Sequence, residues 1–175
     1  MRDFHALLCE MDRYPGPLVC AVRGYAVGGA LEFLLHADYV VADPACMVGF
    51  PEINHGLLPA AKGMRRAVGK LGLRAAQALL YWGELCDARK ALEIGAINEI
   101  AAGTDVMSRG VEVCRHLRGK DQKLFAAIKR SLNLTGQMDD ASLEAVTIED
   151  LSAYLTEGSS ADARARFLSK SSRKT

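Results

Sequence analysis

The sequence predicts an α/β fold in which short strands and helices alternate, closed by a helical C-terminal region. Three observations lead there. Apolar runs of strand length at residues 17–22, 38–43 and 46–50 are bounded by proline, glycine and aspartate. Residues 29–36 follow the first run with helical spacing, so a strand, a glycine turn and a helix N-terminus lie in succession. Beyond residue 102, apolar residues recur at helical spacing between glycine breaks. The chain has 175 residues, half of them hydrophobic and a quarter charged, which suits one globular domain with a substantial core. Within it we place the core at residues 1–102 and a helical region at 103–175.

The elements follow in order. Residues 1–13 carry Phe4, Leu7, Leu8 and Met11 at helical spacing, a helix ahead of the strand that begins at Pro17. The apolar run then turns through Gly24, Gly28 and Gly29 into the helix that contains Glu32. Asp38 to Asp43 reads as a buried strand, Pro44-Ala45 turns it, and residues 46–50 form a second short run ending in Pro51-Glu52. Residues 64–80 form a helix, Asp87 caps the next, Gly95 ends it, and residues 96–100 return as a strand. Further helices span 104–117, 121–134 and 143–155, with Gly103, Gly119 and Gly136 as breaks.

Glu32 and Glu52 stand in unlike surroundings, one behind a glycine pair and one behind a proline at a strand end. Glycine at 28 and 29 lets a ligand approach the backbone where a helix leaves its first N–H groups unpaired. Such donors at the positive end of a helix suit a developing oxyanion, and Gly29 N–H is the candidate donor. Singly, a glutamate early in a helix is an ordinary solvated residue, and one after a proline an ordinary loop residue. Together they can orient a water and pass protons at one small volume.

These residues resemble the crotonase superfamily, the enoyl-CoA hydratase/isomerase fold. The likeness is carried by Gly24-Tyr25-Ala26-Val27-Gly28-Gly29-Ala30-Leu31-Glu32, His36-Ala37-Asp38, Gly49-Phe50-Pro51-Glu52 and Gly56-Leu57-Leu58-Pro59, in the family's order and spacing. A later block, Gly83-Glu84-Leu85-Cys86-Asp87 through Gly95-Ala96-Ile97-Asn98-Glu99-Ile100, is similar to the family's helix-and-strand element beyond the active site.

The resemblance implies a crotonase-like spiral fold and an acyl-CoA thioester held with its carbonyl in an oxyanion hole of two backbone amides, one at Gly29. It places Glu32 and Glu52 at the two catalytic glutamates of the hydratases, with Ala26, Gly28, Phe50, Pro51 and Pro59 against the substrate. In the tail, Phe167 and Lys170 match a closing helix near the coenzyme A moiety; the plain alternative is a packed amphipathic helix. No separate cofactor is implied, since coenzyme A is part of the substrate.

Retention of both glutamates favours hydration of a 2-enoyl-CoA over isomerisation. Isomerase, decarboxylase or thioester hydrolase chemistry on the same enolate, and a non-catalytic subunit, are the alternatives. The family pattern has glycines where Ala60 and Lys62 stand, and often a polar residue at Phe50. It also implies that the chain starts about one-third of the way into a family member, with the opening strands and the second oxyanion amide upstream. Homo-oligomers, trimers or hexamers, are expected from the same likeness.

A net charge of +1 gives no argument for nucleic acid. No apolar run is of membrane-spanning length and residues 1–5 lack the core of a signal peptide, so a soluble cytoplasmic protein is expected. Cys9, Cys20, Cys46, Cys86 and Cys114 are odd in number and without CxxC, so they read as reduced, with neither a disulfide framework nor a zinc site. His5, His36, His55 and His116 are scattered and suggest no metal; His36 reads as a core residue and His55 as a loop residue bordering the site.

Overall fold

In the computed structural model, which describes residues 2–59, 62–101, 103, 105–156 and 161, the first apolar run and the glycine turn after it supply strands to two different sheets. Strand β1 (Val19–Val22) ends at a turn where Gly24 takes φ 74°, and β2 (Tyr25–Val27) leaves in a new direction. One strand followed by a turn was expected here; the positive φ, easy only for glycine, redirects the chain at Gly24, and part of the expected turn extends as a second strand. In the first sheet β1 pairs in parallel with β3 (Tyr39–Ala42), which pairs in parallel with β6 (Glu99–Ile100). In the second, β2 pairs in parallel with β4 (Met47–Gly49), which pairs antiparallel with β5 (Leu85–Asp87).

Helix α1 (Arg2–Arg13) precedes β1, α2 (Gly29–His36) follows β2, and a 3-10 helix (Pro51–His55) follows β4. Then come α3 (Gly63–Trp82), α4 (Ala88–Glu93), α5 (Val106–Arg118), α6 (Gln122–Leu134) and α7 (Asp140–Thr156). Gly72, at φ 76° and ψ 160°, breaks α3 into two pieces where an unbroken helix was expected. The expected strand at 96–100 shortens to Glu99–Ile100, because the N–H groups of Ala96 and Ile97 both donate to Ala91 O and finish α4 instead.

Two compact units divide the chain at Lys120 and Asp121. Helix α5 belongs to the first unit because it packs onto β1 and β3: a Cβ on Gly110 would lie 3.2 Å from Ala21 Cβ. Strand alternation splits the first unit's core between the two faces of the first sheet. Val40 and Ala42 join the side of α2, α3 and α4 with Leu31, Leu35 and Ile97, while Val41 joins Ala101, Val106 and Val113 under α5.

In the second unit Asp121 caps α6, accepting from the N–H groups of Lys123 and Leu124, and also accepts from Tyr154 Oη of α7 at 2.9 Å. Arg130 and Asp150 add an ion pair between the same helices at 2.9 Å. Among the described residues no helix is long and apolar enough to cross a membrane, and no cluster of three or more acidic, cysteine or histidine side chains is placed to hold a metal ion. The five cysteines are free thiols; Cys46 is buried and the other four are half-buried.

Candidate active site

The site is built on the first turn of α2. Gly28 sits just ahead of it at φ 58°, a conformation that side chains rarely adopt, and its N–H donates to Gly49 O at 2.9 Å. That bond ties the start of α2 to the end of β4. Gly28 O accepts the first helical bond, from Glu32 N at 3.0 Å, so the N–H groups of Gly29, Ala30 and Leu31 open the helix with no acceptor inside it. Among the described residues no side-chain cap bonds to them, Gly28 having none to offer.

Both glutamates are seated against glycines, Glu52 at this turn and Glu32 at the start of α3. Glu52, second residue of the 3-10 helix that Pro51 starts, places Oε1 2.9 Å from where a Cβ on Gly28 would stand. Its Oε2 is buried and takes no hydrogen bond from any described residue. Glu32, 0 % exposed, lies with its carboxyl against the first residue of α3: a Cβ on Gly63 would stand 2.7 Å from Glu32 Cδ and 3.0 Å from Oε2.

A cleft of about 510 Å³ opens beside the same turn, between Phe4 of α1, Cys20 and Val22 of β1, Tyr25 and Ala26 of β2, and Gly29 and Phe33 of α2. Its wall is mostly apolar, and Gly29 stands on it; neither glutamate lines it. Burial, and after it the Asp38 carboxylate, pushes the Cys20 thiol up from its usual range, so it is a neutral wall group.

The structure therefore brings together Gly28, Gly29, Glu32 and Glu52, with Ala26 on the cleft. Phe50 is 1 % exposed and packs in the core beneath the 3-10 helix, not in the cleft wall. Pro51 fixes the first position of that helix, and Pro59 is half-buried in the loop after it. Phe167 and Lys170 lie outside the described residues. His55 is exposed on the 3-10 helix, whereas His36 is buried as expected. Sequence reasoning missed Gly63, Phe4 and Phe33. The glycine after Lys62 was the available signal for Gly63, but only the fold places it against Glu32.

His36 lies one turn after Glu32, its Nδ1–H donating to Glu32 O at 2.8 Å. Burial above all, then the Arg66 and Lys62 cations, holds its pKa below the ordinary 6.5 against the opposing pull of that hydrogen bond and of Asp12. It is a neutral imidazole with its proton on Nδ1.

Comparison with other proteins bears on the family and the fold. The sequence profile of the family described as enoyl-CoA hydratase/isomerase matches residues 2–173. The enoyl-CoA isomerase/hydratase fer4 of Mycosarcoma maydis is 27 % identical over 140 residues, 79 % of this chain and 51 % of its own. YngF of Bacillus subtilis, a proposed enoyl-CoA hydratase/isomerase, is 33 % identical over 103 residues, 59 % of this chain and 40 % of its own. The chain thus spans about half the length of these curated relatives. Among solved structures, an enoyl-CoA hydratase/isomerase from Cupriavidus metallidurans superposes with a TM-score of 0.89 at 22 % identity, covering 97 % of this chain and 64 % of that one. An enoyl-CoA hydratase subunit from Geobacillus kaustophilus gives 0.86 at 24 %, over 95 % and 65 %. The fold is the crotonase fold, and with a profile match over nearly its whole length the chain belongs to the enoyl-CoA hydratase/isomerase family.

Proposed function

We propose that the protein hydrates a 2-enoyl-CoA thioester. The observation that carries this reading is that one helix turn, whose N–H groups from Gly29 have no acceptor inside the helix, bears Glu32 and receives the Glu52 carboxyl against Gly28. The thioester carbonyl would take the Gly29 N–H, where the helix end favours the enolate oxygen. A water held by the carboxyls would add its oxygen to the β-carbon. One carboxylate takes the water's proton, and a proton from the carboxyl pair goes to the α-carbon as the enolate collapses. The buried, unbonded Oε2 of Glu52 is an acceptor suited to that water. The apolar cleft beside Gly29 fits an acyl or pantetheine chain. Exposed Leu73, Tyr81 and Trp82 on α3 support assembly into homo-oligomers.

The test is to mix the chain with crotonyl-CoA in D₂O and follow products by NMR. A 3-hydroxyacyl product, reduced about 10²–10⁴-fold in both Glu32→Gln and Glu52→Gln, is expected. Deuterium at the α- or γ-carbon without hydration would replace this reading with an isomerase. Absence of any turnover would overturn enolate chemistry for this chain.

A further inference from the structure

Three side chains converge on Asp12 inside the first unit, and the residue between two of them, Gly63, packs against Glu32. Asp12, on α1, accepts from Lys62 Nζ at 3.0 Å, pairs with the Arg66 guanidinium, and faces His36 Nε2 at 3.8 Å. Lys62 stands just ahead of α3 and Arg66 in its first turn, and both reach Asp12. Gly63 lies between them, and it is the residue packed against the Glu32 carboxyl. On α2, His36 is four residues beyond Glu32 and holds its carbonyl through Nδ1. Asp12 thus grips α3 at two points around the glycine beneath the carboxyl, and meets α2 one turn past it.

Ion pairs that are half-buried, as these are, add little net stability once desolvation and screening are counted, so stability alone is a weak account of this cluster. A catalytic carboxyl, in contrast, loses rate steeply when it is displaced by a fraction of its own length. We propose that Asp12 is a positioning residue, which clamps the start of α3 and the end of α2 around Glu32 and so sets where the Glu32 carboxyl points. The proposal rests on the reading of Glu32 as an acid–base group.

The test measures Asp12→Asn and Lys62→Met, each alone and combined with Glu32→Gln, for crotonyl-CoA hydration. A second readout is the ¹³C resonances of the glutamate side-chain carboxyls, with that of Glu32 assigned by its loss in Glu32→Gln. Lys62→Met keeps the Arg66 pair and releases one grip only, so it decides the matter if Asp12→Asn fails to fold. We expect kcat to fall about 10-fold or more with KM changed less than about 2-fold. In the Glu32→Gln background no further loss is expected, and the Glu32 resonance moves while that of Glu52 stays. A loss that multiplies with Glu32→Gln, or a Glu32 resonance that does not move, overturns the clamp. If the unmodified chain does not hydrate crotonyl-CoA, the hydratase reading fails, and the resonance still decides for or against the clamp.

Discussion

Gly28 and Gly63 do the same job at the two glutamates: each leaves out the one carbon that would occupy the space of a carboxyl. Gly28 adds a second constraint through its φ of 58°. Gly24 separates the two effects, since its φ of 74° is comparable and a Cβ there would meet nothing within 4 Å. Alanine at either position should cost about 1–3 kcal/mol of stability from backbone strain. Only Gly28→Ala should also lower hydration, because its Cβ must displace Glu52 Oε1. Melting temperatures and rates of both variants check this, and equal activity in the two would refute it. Gly28, Gly29, Glu32 and Glu52 were legible in the sequence because they sit in two short, contiguous signals. Gly63 and Asp12 were not, since their partners lie 31 and 50 positions along the chain and only packing unites them.

At the scale of elements, local rules read best where a side chain finishes its own helix. Asp87, Asp105 and Asp121 precede helical runs, and each accepts from backbone N–H groups two or three residues on. The division of residues 19–27 between two sheets was hidden, because a glycine turn looks alike whether the chain pairs back or crosses over. Strand β5 was missed for its brevity: three residues, paired only through β4. The caps carry a pH dependence. Backbone N–H bonds hold the carboxyls of Asp105, Asp121 and Asp139 below the ordinary 3.8, from Ser108, Leu124 and Ser142 respectively as the leading cause. A carboxyl lowered by folding contributes fully above its unfolded value, and the contribution is lost as pH falls through the folded one. Thermal melts by circular dichroism from pH 6 to pH 2.5 should therefore show helix stability declining below about pH 4. Asp121→Asn, which keeps a capping oxygen, should weaken that decline for α6.

On the scale of the whole molecule, strand β3 is the axis of the first unit, paired on both sides and covered on both faces. Its amides should be the slowest to exchange with solvent hydrogen, opening only with global unfolding, while those of β2, where Tyr25 is exposed, exchange through local openings. Exchange followed residue by residue by NMR would disprove this if β2 proved as protected as β3. The fold class was readable because the signature segments span most of this arrangement. The order of the sheets was not, since parallel pairing joins strands that the sequence keeps apart. One consequence follows from the bend at Gly24. Among the described residues β1 and β2 each have a single strand neighbour, so one continuous stretch, 19–27, carries one open edge of each sheet. Unpaired edges invite another strand to add, from any chain that meets them. A partner strand that added to both edges would have to turn where residues 19–27 turn, at Gly24.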